Sequence, residues 1–239
     1  MIELARRGGR PLRIGHRGAA ALAPENSLEA IGLAVELGCD LVEFDVHALG
    51  ERLVVAHDRP VSADGLPTLD DVLELLSSAG VGIHLDLKAQ GAEQPVAEAL
   101  RRHGLVERTI ISSFRRPTLS ALHLVEPSVR LGRTYPQDRM GLTKRPVFQP
   151  PARTIVRVLR RALPRYIGSL LARSKATAAV LYWEVVSEAA VARCHALGAP
   201  VLVWTVDDAA LLPWLDEIGV DGVITNDPRI FRDQPGSRR

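Results

Sequence analysis

Short apolar runs alternate with helical patterns along nearly the whole chain, and this alternation limits the fold more than any single residue does. Strand-like runs fall at residues 12–15, 41–46, 53–56, 82–87, 109–112, 129–132, 178–182, 200–205 and 222–224. Helix-like stretches fall at 26–37, 68–78, 94–103, 118–124, 187–197 and 208–218. The first opens on a capping residue, Asn26, and closes at Gly38; the second carries acids in its first turn, which suits the helix dipole. Several strands are almost continuously apolar, as strands covered on both faces are. Repeated strand–helix units in 239 residues predict an α/β chain folded as one (β/α)8 TIM barrel, residues 1–239 forming a single domain. An open doubly wound sheet is the alternative, but no Gly-x-Gly-x-x-Gly follows a strand.

A barrel of this kind carries its chemistry at the C-terminal ends of its strands. His16, Glu43, Asp45, His57, Asp86, Lys88 and Trp204 all fall at or just past such ends. Glu43 and Asp45 are two apart in a strand, so both carboxylates point the same way. Side-by-side carboxylates repel, and a hard cation is the usual reason for tolerating that. With Asp86 they offer three oxygen ligands from two strands, a set suited to Mg²⁺ or Ca²⁺, since no cysteine or paired histidine accompanies them to favour zinc; a structural salt-bridge cluster with Arg17 and Lys88 is the alternative. His16 and His57, with Arg17 between them, suggest acid–base chemistry on an anionic substrate.

The order of short motifs carries a family resemblance. His16-Arg17-Gly18, Pro24-Glu25-Asn26-Ser27, Gly38-Cys39-Asp40, Glu43-Phe44-Asp45-Val46 and His57-Asp58 come first. Asp86-Leu87-Lys88, Ser113-Phe114, Trp204-Thr205-Val206 and a run from Gly219 to Asn226 follow. Together, from about Ile14 to Pro228, the chain resembles the glycerophosphodiester phosphodiesterase family. The resemblance implies metal-dependent hydrolysis of glycerophosphodiesters to an alcohol and glycerol 3-phosphate; the alternatives are lysophospholipase D-type hydrolysis of membrane lysolipids and a lipid-headgroup binding module that has lost catalysis, against which the intact His16, Glu43, Asp45 and His57 argue. A substrate hydroxyl would attack its own phosphate and water would open the cyclic product, with His16 and His57 as the acid–base pair in unassigned order. Arg17 and Lys88 are the natural partners of phosphate oxygens. The resemblance gives Glu25 a supporting place in the pocket, although an acid at a helix start accounts for it equally well. Phe114 and Trp204 suit an apolar pocket wall or simple core packing. Asn26 reads as a helix cap; His47 and His84, two residues from Asp45 and Asp86, read as supporting groups. The chain departs from the family in three places. Asp86 stands where the family usually has glutamate, a trait it shares with sphingomyelinase D-type phospholipases. Ala48-Leu49-Gly50-Glu51 replaces an Asp-Gly turn, which predicts a changed hairpin. Only about thirty residues separate His57 from Lys88, where many members carry an insertion over the site, so an open mouth and bulky substrates such as lysolipids are expected.

Residues 130–175 carry twelve basic side chains against one acid, Asp138. Four prolines, Pro136, Pro146, Pro150 and Pro151, predict a loop in the first part, and residues 152–172 predict an amphipathic helix kinked or divided at Pro164. Such a basic segment, about residues 152–173, can rest on an anionic membrane or form a solvated barrel helix. A net charge of only +2 argues against a nucleic-acid partner, and no apolar run reaches the roughly eighteen residues that span a bilayer. The start lacks an apolar signal core, and Cys39 and Cys194 read as buried thiols, so a cytoplasmic protein is expected, with possible peripheral membrane contact.

Overall fold

The computed structural model describes residues 2–136 and 149–232. Eight parallel strands close on themselves: β1 (Leu12–Gly15), β2 (Leu41–Leu49), β4 (Gly82–Leu87), β5 (Thr109–Ser113), β6 (Arg130–Tyr135), β7 (Ala178–Tyr182), β8 (Val201–Trp204) and β9 (Gly222–Thr225). Each pairs with the next, and β9 returns to β1 with Ile14 opposite Ile224. Strand β3 (Arg52–Val55) lies outside this ring and pairs antiparallel with the far end of β2. The helices are α1 (Leu28–Glu36), α2 (Leu69–Ala79), α3 (Glu93–Arg102), α4 (Arg116–Val125), α5 (Gln149–Ser174), α6 (Glu188–His195) and α7 (Leu212–Glu217). The expected barrel is therefore present, and β3 is its one departure from a strict strand–helix repeat among the described residues.

The residues explain the layers. Alternate strand positions point inward, and Leu12, Ile14, Leu41, Ile110, Ala178, Val180, Leu202 and Ile224, joined by Leu4, fill the N-terminal part of the barrel. Toward the other end the inward positions turn polar while staying buried: Glu43, Asp45, His84, Asp86, Ser112 and Thr134. Outward strand positions pack on the helices. Helix α2 shows the logic: Thr68 and Asp71 form a reciprocal capping box, Leu69, Val72, Leu73 and Leu76 are buried on one face, and Gly80 closes it in a left-handed turn. Burying each of those side chains contributes roughly 1.5–3 kcal/mol.

Several local expectations are corrected. Ser27, not Asn26, caps α1, its hydroxyl accepting from the Ala30 amide at 3.1 Å; Asn26 is buried with φ +62° and turns its side chain to the barrel mouth. Strand β2 runs on to Leu49 and turns through Gly50 and Glu51 into β3, with Gly50 at φ +61°. Helix α5 is continuous through Pro164 rather than divided there. Pro150 and Pro151 lie in its first turn, where missing amide donors have no intrahelical partner to lose. Asp138, Arg139, Lys144, Arg145 and Pro146, where the sequence predicts a loop, and the side chains of Ala152 and Arg153 lie outside the described residues. Cys39 and Cys194 are buried and unpaired, and burial pushes both thiols up to about 12.

Candidate active site

Asp45, midway along β2 and near the end of its pairing with β4, is the hub of the barrel mouth. Its backbone amide donates to Asn26 Oδ1 at 3.0 Å, and Asn26 Nδ2 donates to its Oδ2 at 3.1 Å. The same Oδ2 meets His57 Nδ1 at 3.2 Å and Arg17 Nε at 3.3 Å, while Oδ1 meets Lys88 Nζ at 2.8 Å. Lys88 also donates to Asp86 Oδ2. Ligand oxygens of Glu43, Asp45 and Asp86 lie within 4.8 Å of one another, and all three residues are buried. The period-2 reading of β2 and β4 therefore places these groups together, as Asp45 and Asp86 stand opposite each other in register.

The turn after β1 is shaped for this cluster. Arg17 has φ +50° and Gly18 φ +82°, and a Cβ on Gly18 would collide with the Ala30 backbone, so only glycine lets α1 approach so closely. This bend aims the Arg17 amide at Glu43 Oε2 (2.8 Å) and the Gly18 amide at the Glu43 carbonyl (3.0 Å). The Arg17 guanidinium reaches Glu25 through Nη1 and His57 Nε2 through Nη2, the latter at 3.2 Å. Glu25 is thus a surface partner of Arg17 at the rim. His57 is held by its ring contact to Asp45 and by the Ala56 amide on the Asp45 carbonyl (3.1 Å); His47 Nε2 lies 3.2 Å from its carbonyl.

His16 sits across the cluster. Its Nδ1 lies 2.7 Å from Asn226 Oδ1, and its Nε2 is 3.9 Å from Glu43 Oε2. Burial, then the charge of Arg17, pushes its pKa down to about 4. Beneath the cluster His84 Nε2 lies 2.9 Å from Ser112 Oγ, which donates to Asp86 Oδ1 at 2.9 Å. Burial pushes His84 down to about 4 as well. Phe114, Trp204 and Tyr182 line the opposite side of the mouth, with ring centroids 5.8 Å apart for Phe114–Trp204 and 5.4 Å for Tyr182–Trp204. Lys88 Nζ, 5.6 Å from the Phe114 ring centre, joins the aromatic side to the charged one.

The electrostatics fit a hard divalent cation. Burial, reinforced by Asp45 and Asp86, holds the Glu43 carboxyl well above its usual range. Burial also opposes the charge on Asp45, but His57, Lys88 and Arg17 outweigh it and hold Asp45 below the usual carboxylate range. Lys88 loses solvation too, yet Asp86 and Asp45 raise it above a free lysine. In this structure Lys88 and Arg17 stand against these carboxylates, and the all-oxygen donor set of Glu43, Asp45 and Asp86 suits Mg²⁺ or Ca²⁺.

His16, Arg17, Glu25, Glu43, Asp45, His57, Asp86, Lys88, Phe114 and Trp204 lie at this mouth. Asn26 serves Asp45 rather than capping the helix, and Ser112, Asp207 and Asn226, to which the sequence gives no role, join the site. Asn226 could have been found, because it immediately follows β9 as His16 follows β1. Comparison with known proteins then places the chain. Residues 16–63 and 57–230 match the model of the glycerophosphoryl diester phosphodiesterase family. The chain is 26% identical over 254 residues to a glycerophosphodiester phosphodiesterase of Caldanaerobacter subterraneus subsp. tengcongensis, covering 91% of this chain and 94% of that protein. It superposes on a glycerophosphodiester phosphodiesterase from Parabacteroides distasonis with a TM-score of 0.73 at 21% identity, covering 92% of this chain and 94% of the other. A phosphodiesterase of Oleispira antarctica, solved with the product sn-glycerol-3-phosphate, gives 0.71 at 23% identity, covering 92% and 94%. At those identities the two structures bear on the fold alone.

Proposed function

The chain belongs to the glycerophosphoryl diester phosphodiesterase family and is a phosphodiesterase, and on that premise we propose that it cleaves glycerophosphodiesters to an alcohol and glycerol 3-phosphate with a divalent cation held by Glu43, Asp45 and Asp86. The observation that carries the reading is Asp45, which touches Arg17, Asn26, His57 and Lys88 at once and so gathers acid–base, phosphate-binding and cation-binding groups at one point. The bound cation supplies positive charge for the phosphate oxygens. Arg17 and Lys88 bind the remaining phosphate charge, Arg17 turning from His57 to do so. His16, uncharged near neutral pH because it is buried, accepts at its Nε2 the proton of the substrate glycerol hydroxyl as that oxygen attacks phosphorus. His57, whose Nδ1 donates to the Asp45 carboxylate, presents Nε2 to the departing alcohol oxygen once Arg17 has turned to the phosphate, and acts there as the general acid. The cyclic phosphate is then opened by water with the two roles reversed. Phe114 and Trp204 form the apolar wall of the pocket.

The test is release of glycerol 3-phosphate from glycerophosphocholine and glycerophosphoethanolamine in EDTA, Mg²⁺ or Ca²⁺, with His16→Ala as control. Release that depends on the cation and vanishes in the variant supports the reading; release undiminished in EDTA refutes the metal requirement.

A second reading, hydrolysis of lysolipids at a membrane surface, draws on α5. At 26 residues it is much longer than the other barrel helices, which have 6 to 11. It starts on the mouth side, following β6, and carries exposed Arg157, Arg161, Arg165 and Arg173 with Ile155 (50% exposed) and Val158 (59%) and no acid. No helix of the described chain is long and apolar enough to cross a membrane, so contact would be peripheral. Sedimentation with anionic vesicles should show binding that weakens as salt rises; salt-independent binding, or none, refutes it.

A further inference from the structure

Asp207 follows β8 and Asn226 follows β9, and neither has a role in the reading above. Both oxygens of the exposed Asp207 carboxylate accept hydrogen bonds. Its Oδ2 receives Asn226 Nδ2 at 2.7 Å; its Oδ1 receives the Asn226 backbone amide at 2.8 Å and Thr225 Oγ1 at 3.1 Å. The opposite orientation of the Asn226 amide would set its carbonyl oxygen against a carboxylate oxygen, so Asp207 selects one orientation. In it Asn226 Oδ1 faces His16 Nδ1 at 2.7 Å. A carbonyl oxygen can only accept, so the proton of neutral His16 resides on Nδ1 and Nε2 keeps its lone pair.

We infer that Asp207, acting through Asn226, fixes the tautomer of His16 and thereby makes Nε2 its proton-accepting atom. Asp207 and Asn226 are positioning residues in this scheme, which rests on His16 as the base. A histidine base in the wrong tautomer presents a proton where it must accept one, and catalysis collapses although the geometry survives.

The discriminating variant is Asp207→Asn. An asparagine at 207 can offer its NH₂ to Asn226, which then turns its oxygen toward residue 207 and its own NH₂ toward His16. The His16 proton moves to Nε2. With glycerophosphocholine we expect kcat to fall at least about a hundredfold while KM stays within about threefold. Nitrogen-15 spectra of histidine-labelled, cation-free protein should report Nδ1–H for His16 in the wild type and Nε2–H in the variant. The double variant Asp207→Asn/Asn226→Asp restores an obligate acceptor beside His16 Nδ1 and should recover most of the lost kcat, which a merely structural role for Asp207 does not predict. An Nε2–H wild type, an Asp207→Asn enzyme with unchanged kcat, or a double variant no more active than the single one overturns the inference. Should Asp207→Asn fail to fold, the wild-type spectrum and the double variant decide. A wild type that hydrolyses no glycerophosphodiester defeats the functional reading, while the spectra still test the relay.

Discussion

Lys88→Met removes the one ammonium between two buried carboxylates. Lys88 Nζ lies 2.8 Å from Asp45 Oδ1 and contacts Asp86, whose side chains are 2% and 7% exposed; the lysine side chain is 20% exposed. At an effective dielectric of about 20, a pair at that separation attracts by about 6 kcal/mol gross. Desolvation offsets part of this, and breaking a buried pair typically costs about 3–5 kcal/mol. Partial exposure of the lysine, and the readiness of Glu43 to take a proton, place this site at the low end, about 3 kcal/mol. For a chain of this size that corresponds to a melting temperature lower by about 6–12 °C. Because a dication and the ammonium serve the same carboxylates, the variant should recover more on adding Mg²⁺ or Ca²⁺ than the wild type gains. At about a hundred times Kd, that recovery is about 2.7 kcal/mol. Calorimetric melts of both proteins in EDTA and in excess cation make the measurement. A variant that melts within about 2 °C of wild type in EDTA, or equal gains for both proteins, refutes the shared-field argument.

His16→Ala and His57→Ala should each lower turnover at least about a hundredfold, and near-normal kcat in either removes that residue from the acid–base pair. Ser112→Ala frees Asp86 Oδ1 and should weaken cation affinity about tenfold or more in a calorimetric titration; wild-type affinity would show that Asp86 needs no such support. The buried histidines His16 and His84, at about 4 in the fold against 6.5 when exposed, bind fewer protons folded than unfolded. Their stabilisation is complete above pH ~6.5 and lost as pH falls toward ~4, by up to about 2.7 kcal/mol per pH unit if both titrate together. Glu43, with its raised carboxyl, acts in the opposite sense, so urea unfolding between pH ~7 and ~5 is best measured in Glu43→Gln; a flat profile contradicts the assignment.

Strand periodicity made the charged half of the mouth legible, because Glu43, Asp45 and Asp86 lie on two neighbouring strands in register, with Lys88 directly after the second, and their side chains alternate predictably. What the sequence hid depends on backbone bends and on contacts between loops. Asn26 sits where an Asx residue would ordinarily cap a helix, yet its left-handed backbone hands that task to Ser27 and sends its amide to Asp45. Ser112 resembles any small strand residue until β4 and β5 pair and set it opposite Asp86. Asp207 and Asn226 are nineteen positions apart, and only the closing of β8 against β9 brings them together. The continuity of α5 through Pro164 was equally hidden: helical packing through buried Leu163, Ile167 and Leu171 outweighs the proline's local cost.

Strand β3 has a consequence for how the two histidines are spaced. His16 is anchored to the barrel wall, whereas His57 arrives from outside on a hairpin whose rungs run from Leu49↔Arg52 to Val46↔Val55. The hairpin works as a gauge. Residues added at the Gly50-Glu51 tip leave every rung intact and the reach of His57 unchanged. A single residue added between Arg52 and Ala56 shifts the strand by about 3.4 Å and reverses which side chains face the mouth. The gap between the two proton-handling groups can therefore be reset from outside the barrel while the carboxylates on its wall stay where they are.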